Sequence, residues 1–158
     1  MANPMFPVPI EALKSKFNFV DCDAGERFQI NENIRLRTTM LNHPDGTTGY
    51  RVEFKGKSIC YVTHTEHIPS DSIQNIFDLI NGAGLVVFDS TYTESEFLTK
   101  AGWGLSTWEE RVKLTQMADV KSLVIFFHDP NHDNSFMEAP EIEALQRWRS
   151  AKKVCKLI

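Results

Sequence analysis

The sequence predicts an α/β domain in which a β meander comes first and helices alternate with strands afterwards. In the first third, apolar and polar residues alternate as in half-buried strands. After Pro69 the apolar residues recur at helical spacing instead. Two later apolar runs, at residues 85–88 and 123–127, are short enough to be buried strands. Together these patterns predict a strand-first fold completed by alternating helices and strands.

We expect one domain over residues 1–158, with an extended arm at 1–12, a β meander at 16–63 and an alternating α/β region at 70–158. A chain of 158 residues with 42% hydrophobic and 24% charged residues has the size and balance of one globular domain. Pro4, Pro7 and Pro9 favour an extended arm over a helix. No repeat or low-complexity tract interrupts the sequence.

Charge, hydropathy and cysteine content narrow the classes of protein. A net charge of -4 gives no broad cationic surface, so nucleic acid is not the default partner. No run reaches the roughly 18 to 20 apolar residues of a membrane span, and no basic segment precedes an apolar run at the N-terminus, so we expect no membrane partner and a cytoplasmic location. Cys22, Cys60 and Cys155 are odd in number and far apart, which favours buried reduced thiols over disulfides.

The predicted meander contains four strands. Residues 17–21 and 34–41 alternate apolar and polar side chains. Residues 49–54 and 58–63 flank Lys55-Gly56-Lys57, a glycine-centred connection that predicts a hairpin.

The second half is predicted to contain three helices. The first begins at Ser70 or Asp71 and ends at Asn81-Gly82. The second begins at Ser106 or Thr107 with glutamates three residues on, as in a capping box. The third spans roughly residues 137–149, and residues 154–158 are predicted to close the sheet as a strand. Residues 85–88 are predicted to form a strand covered on both faces.

Histidines and carboxylates gather where the predicted strands end. His43, His64, Glu66 and His67 follow strands of the meander, and Asp89 and His128 follow the two apolar strands. Carboxyl ends of strands in open α/β sheets are where sites form, and imidazoles with carboxylates suit metal or acid/base chemistry. A loop histidine is nevertheless more often solvated than a ligand, and residues 129–134, with Asp129, His132 and Asp133, fit either a capped turn or a separate site.

The sequence also contains five short motifs that resemble a known family. They are Leu41-Asn42-His43-Pro44 followed by Gly49-Tyr50-Arg51, then Tyr61-Val62-Thr63-His64-Thr65-Glu66-His67, Asp89-Ser90-Thr91-Tyr92-Thr93, Gly102-Trp103-Gly104-Leu105-Ser106-Thr107 and Phe127-His128-Asp129-Pro130. In this order they resemble the second half of a metallo-β-lactamase-fold hydrolase, in the branch of ribonuclease Z and PhnP-like phosphodiesterases. The resemblance implies half of an αββα sandwich, with a mixed β-sheet and helices on one face. In the whole family fold, two metals, usually zinc, hold a bridging hydroxide that attacks a phosphodiester.

The resemblance assigns roles to four residues. His43 stands at a metal-ligand position, and His64 stands where the family has an aspartate that bridges both metals. Imidazole binds one metal through one nitrogen and is a poor substitute for a bridging carboxylate. Asp89 matches an acidic residue that orients a catalytic histidine, but that histidine is replaced by Leu105, which cannot transfer a proton.

The last motif leaves two alternatives. The family has Phe-His-His-Asp-Pro where this chain has Phe127-His128-Asp129, so the ligand is either lost at Phe127 or kept as His128. The His-x-His-x-Asp-His motif of the first half of the fold is absent from the sequence. The candidate zinc ligands are therefore His43, His64 and His128, whereas a catalytic zinc needs three protein ligands around one point.

These departures favour a degenerate domain that is non-catalytic or metal-poor and acts through dimerisation or partner binding. Half of a sandwich exposes one apolar sheet face, which a homodimer or a partner chain would cover. The alternative is a metal-dependent hydrolase of phosphodiester-type substrates, in which a partner chain supplies the missing histidine motif or one zinc is bound by His43, His64 and His128. A truncated gene product is the third interpretation.

Overall fold

Six strands form a mixed sheet in residues 12–67 and 71–150, the part of the chain that the computed structural model describes. The strands lie side by side in chain order: β1 Arg27–Asn31, β2 Ile34–Leu41, β3 Thr47–Phe54, β4 Lys57–Val62, β5 Leu85–Asp89 and β6 Leu123–Phe126. The first four pair antiparallel, whereas β4, β5 and β6 are parallel. The predicted mixed α/β fold is confirmed.

The described ranges contain four helices, and those in contact with the sheet lie on one of its faces. The four helices are α1 Asp71–Ile80, α2 Glu94–Phe97, α3 Trp108–Met117 and α4 Asn134–Ser150. Helix α1 contacts β2, β3 and β4, and α3 contacts β5, β6 and α4. The core lies between the helices and alternate residues of the central strands: Cys60, Val62, Val86, Phe88, Leu123 and Ile125. None of the helices in the described ranges is long and apolar enough to cross a membrane.

The predicted hairpin of β3 and β4 is confirmed, and the conformation of its turn explains why a glycine occurs at residue 56. Lys55 and Gly56 both have positive φ angles, of 47° and 75°. Two left-handed residues are what a two-residue hairpin turn requires, and glycine adopts this conformation without a steric cost.

The opposite face of the sheet is apolar and exposed. Side chains that alternate with the core residues point away from the helices and are between 37 and 52% exposed: Met40, Tyr50, Val52, Phe54, Ile59, Tyr61 and Phe126. Four of them form two directly opposed pairs on β3 and β4, with Val52 beside Ile59 and Tyr50 beside Tyr61. We call this surface the open face.

The open face also corrects the prediction for residues 85–88. Val86 and Phe88 are buried against the helices, but Leu85 and Val87 are only half-buried on the open face. Because every residue of this run is apolar, both faces of the strand have the same sequence pattern. The pattern therefore could not reveal that one face lacks a cover.

The strand predicted at residues 17–21 is wrong. This segment has no strand partner, and Phe17, Phe19 and Val20 are exposed. The first strand is β1, where Phe28 and Ile30 alternate with polar residues over too short a run to stand out. Alternation indicates a segment that could pair, but pairing also needs a neighbour with free backbone groups.

The helix boundaries agree with the sequence except at α4, which begins at Asn134 and not near residue 137. Asp133 explains the earlier start because its carboxylate accepts a hydrogen bond from the backbone N–H of Phe136 at 2.8 Å, as an N-cap does. The short helix α2 was not predicted. Thr107, rather than Ser106, caps α3. Ser70, residues 1–11 of the arm and the strand predicted at 154–158 lie outside the described residues.

The cysteine prediction is correct for Cys60 and wrong for Cys22. Cys60 is buried in the core, whereas Cys22 is exposed in the segment before β1. Cys155 lies outside the described residues. Burial raises the pKa of the Cys60 thiol to about 11, although Arg51 nearby acts in the opposite direction.

We therefore expect iodoacetamide at pH 8 to alkylate Cys22 and spare Cys60 in the folded protein, because the thiolate is the reacting species. Peptide mass spectrometry after a timed quench measures both sites. In denaturing urea, which serves as the control, both should react. Equal labelling rates in the folded protein would contradict the described burial of Cys60.

Candidate functional site

His43 and His64 lie at the same edge of the sheet. His43 follows β2 and His64 follows β4, and these strands run in the same direction because each is antiparallel to β3. Their ring centroids are 6.0 Å apart in an edge-on arrangement. Since β5 and β6 are parallel to β4, Asp89, the last residue of β5, and His128, which follows β6, also lie at this carboxyl edge.

The His43 ring is fixed by local contacts. Its Nδ1 atom accepts a hydrogen bond from the backbone N–H of Asp45 at 3.1 Å. The other side of the ring packs on Gly104, where a Cβ atom would lie 2.6 Å from His43 Nε2. In the neutral ring that accepts at Nδ1, the proton sits on Nε2. A metal at Nε2 would therefore require the other tautomer, which cannot accept the hydrogen bond from Asp45.

Gly104→Ala should lower the free energy of unfolding by about 2–4 kcal/mol, from left-handed strain together with displacement of His43. Gly104 has a φ angle of 77° and no space for a Cβ atom. Gly46→Ala is the matched control because Gly46 has a φ angle of 72° and open space around it, so it incurs the strain only. Urea unfolding of both variants measures the difference. Equal losses would mean that His43 does not pack on Gly104 as described.

His64 adopts a left-handed conformation, with a φ angle of 57°. Its carbonyl oxygen accepts a hydrogen bond from Thr47 Oγ1 at 2.7 Å, which holds this conformation in place. Aspartate and histidine are among the residues that tolerate left-handed φ best. The backbone here therefore suits both the family's aspartate and the histidine of this chain. The His64 ring contacts Phe127 with a centroid distance of 5.0 Å.

Asp89 is part of a buried ion pair that the sequence did not reveal. Its Oδ1 atom lies 3.3 Å from Arg111 Nη2, and its Oδ2 accepts a hydrogen bond from the backbone N–H of Thr65 at 3.3 Å. Arg111 also donates to the carbonyl oxygens of Asp89 and Thr65 and stacks on the ring of Phe88. Both ionic side chains are almost fully buried.

This network ties the end of β5 to helix α3 and to the loop after β4. Burial raises the pKa of Asp89, and the Arg111 guanidinium opposes that shift. The hydrogen bonds of the carboxylate are with Arg111 and Thr65, the neighbouring His64 also lowers its pKa, and Leu105, at the position of the family's catalytic histidine, has no group to orient.

The two residues after β6 point to different surroundings. Phe127 has a φ angle of 62° and contacts His64. His128 instead lines a small cavity of about 10 Å³ with Trp108 and Met137. Of the two alternatives for the last motif, the residue that stands beside His64 is Phe127.

The residues described at this edge do not fit a metal ion. In residues 12–67 and 71–150, no group of three or more histidine, cysteine, aspartate or glutamate side chains is arranged to hold one. His43 and His64 are neighbours, but Phe127 supplies no ligand atom and Asp89 is engaged by Arg111. Two imidazoles fall short of the three protein ligands of a catalytic zinc.

Glu66 and His67, also within the motifs, hold loops together. Glu66 is buried, and its Oε1 accepts a hydrogen bond from the backbone N–H of Gly102 at 2.5 Å. His67 Nδ1 lies 2.8 Å from Ser106 Oγ, and its ring contacts that of Phe97. The loop after β4 is thus bonded to the segment before α3.

The residues at 129–134 form a capped turn. Asp129 Oδ1 accepts hydrogen bonds from the backbone and side-chain nitrogens of Asn131, and Asp133 caps α4. His132 Nε2 lies 2.6 Å from Glu96 Oε1, with the His132 ring stacked on Phe136. Partial burial opposes ionisation of Glu96, but hydrogen bonds from Thr93 and His132 outweigh it and lower the pKa.

Stability should fall as the pH is lowered below about 6.5, because burial lowers the pKa values of His67 and His128, assisted by Arg111 and His132 respectively. The unfolded chain then binds more protons than the folded chain between the folded-state values and 6.5, so protonation favours unfolding. Urea unfolding at pH 7.5, 6.5 and 5.5 measures this decline. The double variant His67→Gln, His128→Gln should show a shallower decline, and an unchanged slope would contradict the prediction.

The sheet topology and the motifs at its carboxyl edge define a metallo-β-lactamase-like α/β domain. A sequence profile described as the Beta-lactamase superfamily domain matches residues 5–128. The chain belongs to this superfamily. No curated protein is significantly similar to it.

Solved structures share the fold at low sequence identity. The short form of human tRNase Z is 20% identical with a TM-score of 0.57, over 63% of this chain and 38% of that one. The metallo-β-lactamase fold protein YhfI from Bacillus subtilis is 11% identical with a TM-score of 0.65, over 88% and 52%. Zinc-bound PqqB from Methylobacterium extorquens is 13% identical with a TM-score of 0.55, over 86% and 52%. The chain thus spans between about a third and a half of these relatives.

Proposed function

We propose that this chain is a metal-poor, non-catalytic half of the metallo-β-lactamase fold that acts by assembly, with the open face buried against a second copy. The open face carries this proposal. Seven large apolar side chains lie on it and are 37 to 52% exposed, and among them Val52 pairs with Ile59 and Tyr50 with Tyr61. Contiguous apolar patches of this kind on soluble proteins mark interaction sites.

The dimensions of the open face suit a protein interface. Six strands at about 4.8 Å spacing and about 20 Å in length give a projected area on the order of 600 Å². Two such faces bury about 1,200 Å² in total, the lower limit for specific interfaces. Sheets that pack face to face place their inner surfaces about 10 Å apart with interdigitated side chains, as in a sandwich.

Charge favours a second copy as the occupant. Around Val52 and Ile59 the open face is apolar, and the cations beside it lie at its rim: Lys57, paired with Phe54, and Lys55, whose Nζ is 5.3 Å from the centroid of the Phe54 ring. A twofold interface places each surface against itself, so a strongly charged face would repel its copy. This face has no such charge pattern. Two copies would complete a two-sheet sandwich of the kind that the family resemblance implies.

Light scattering on the purified chain tests the assembly. A homodimer has twice the mass of the 18.1 kDa chain. Dilution should shift the mass toward that of the monomer, because burial of the open face is the source of the affinity. A monomer at every concentration would contradict the proposal and would leave the face to a different chain.

A second candidate function is a metal-dependent hydrolase of phosphodiester-type substrates, completed by a partner chain that carries the missing histidine motif. The observation that favours it is the proximity of His43 and His64, with ring centroids 6.0 Å apart. Phe127 beside His64 and the ion pair of Asp89 count against it.

Metal content separates the two functions. Mass spectrometry of protein purified without a histidine tag should find less than one zinc in ten chains, and bis-p-nitrophenyl phosphate should not be hydrolysed above the rate in buffer. Stoichiometric zinc that His64→Ala removes would support the hydrolase instead.

A further inference from the structure

A cluster of arginines occupies the helix-side face of the sheet beyond α1. Arg27, Arg37 and Arg51 pair directly across β1, β2 and β3, and Arg35 pairs with Glu53 in a neighbouring row. Paired residues share one face of a sheet, so these four side chains lie together. This surface is on the side opposite the open face, and its role is independent of the proposed dimer.

Two of the four arginines have structural partners. Arg51 bonds Glu53 at 2.8 Å and donates to the carbonyl oxygens of Leu79 and Asn81, each at 2.9 Å. It therefore caps α1, whose own last turn has no basic residue to complement the helix dipole. Arg37 Nη2 approaches the carbonyl oxygen of Asp78 at 3.5 Å.

Arg27 and Arg35 have no such role. Both are exposed, and neither has an ion pair or side-chain hydrogen bond within the described part of the chain. Like charges directly opposite on neighbouring strands are destabilising. Arg27 and Arg35 thus add positive charge beside Arg37 and Arg51 without a described contact of their own, and an anion would stabilise this arrangement.

The arginines line two concave surfaces. A cavity of about 370 Å³ is lined by Arg27, Arg35, Arg37 and Glu53. A second of about 210 Å³ shares Arg27 and Arg37 and is closed by Asp78 from α1. The guanidinium fork matches phosphate oxygens with two parallel hydrogen bonds, which makes arginine the residue of choice for phosphate recognition.

We propose that this arginine cluster binds a compact polyanion of the diphosphate class. Glu53 and Asp78 flank the cavities and would repel an extended phosphate backbone while leaving room for a small anion between Arg27, Arg35 and Arg37. The net charge of -4 on the chain also disfavours the binding of a long polyanion, and it leaves a local arginine cluster as the place where a small anion can bind.

Calorimetric titration of the full chain with pyrophosphate at constant ionic strength tests the site. Arg35→Gln should weaken binding roughly tenfold, the equivalent of one charge-assisted contact, since Arg35 is exposed and its loss leaves the fold intact. Glu53→Gln should tighten binding because it removes a repulsive charge and keeps an amide oxygen for Arg51. Arg149→Gln, at an exposed position of α4, is the matched control and should change affinity less than twofold.

Changes of opposite sign in the affinity for pyrophosphate, weaker for Arg35→Gln and tighter for Glu53→Gln, would support the site. A merely structural effect would weaken binding in both variants. Absence of pyrophosphate binding would overturn it, as would equal weakening by Arg149→Gln. A single-stranded oligonucleotide that binds more tightly than pyrophosphate through Arg35 would overturn the assignment of a compact ligand. Circular dichroism of each variant confirms that its fold is intact.

Discussion

Arg111→Met should lower the free energy of unfolding by about 3–5 kcal/mol, because it leaves a buried carboxylate without its partner. Arg111 and Asp89 are 1% and 0% exposed, so water cannot replace the lost contact. The carbonyl oxygens of Thr65 and Asp89 lose a donor as well. Domains of this kind are stable by only about 5–15 kcal/mol in total. Urea unfolding followed by tryptophan fluorescence measures the loss.

Two further variants make the Arg111 experiment specific. Lys113→Met, on the same helix but with its side chain 66% exposed, should change stability by less than about 0.5 kcal/mol. Asp89→Leu added to Arg111→Met should restore part of the loss, since an apolar pair can replace a buried ion pair. Additive losses in the double variant would show that the two side chains do not interact as described.

Ile59→Lys should raise the dissociation constant of the dimer by about 100-fold or more, because the twofold interface would bury two unpaired charges. Ile59 lies in the centre of the open face, beside Val52 on β3 and Leu85 on β5. The side chain is 52% exposed in the single chain, so the substitution does not disturb the core. Light scattering over a concentration series measures the change.

Ile142→Lys is the matched control for that experiment. Ile142 is also an isoleucine, is 55% exposed, and lies on α4, on the other side of the sheet. Its substitution should leave the dimer intact. Dissociation by both variants would indicate a general effect of charge, and dissociation by Ile142→Lys only would move the interface to the helix layer.

Periodicity predicted much of this fold because the amphipathic elements bury one side each. The hairpin, β2, β5, β6, α1 and α3 all follow from alternation, helical spacing or turn residues. The pattern was insufficient at residues 17–21, where exposed Phe17 and Phe19 look like a strand but have no neighbour to pair with. Which apolar face lacks a cover is a property of the assembled sheet.

The site was predictable in location and less so in detail. The position of His43 and His64 at the ends of strands predicted that the two residues lie close together, and their ring centroids are 6.0 Å apart. The strand ends did not predict that His128 points elsewhere, because the left-handed Phe127 interrupts the regular alternation of side chains. Arg111 was missed, although a signal existed: it shares one face of α3 with Trp108, Val112 and Thr115, at positions i, i+3, i+4 and i+7, all buried.

The accessibility of the open face in solution tests directly whether a second copy covers it. Cysteine placed there by Ile59→Cys, in a Cys22→Ser background, should react slowly with iodoacetamide at high protein concentration and quickly after dilution, because the second copy covers it. Ile142→Cys should react quickly at both concentrations, and peptide mass spectrometry separates these sites from buried Cys60. If the cysteines at 59 and 142 react at the same rate at high concentration, the open face is uncovered and the proposed dimer does not form.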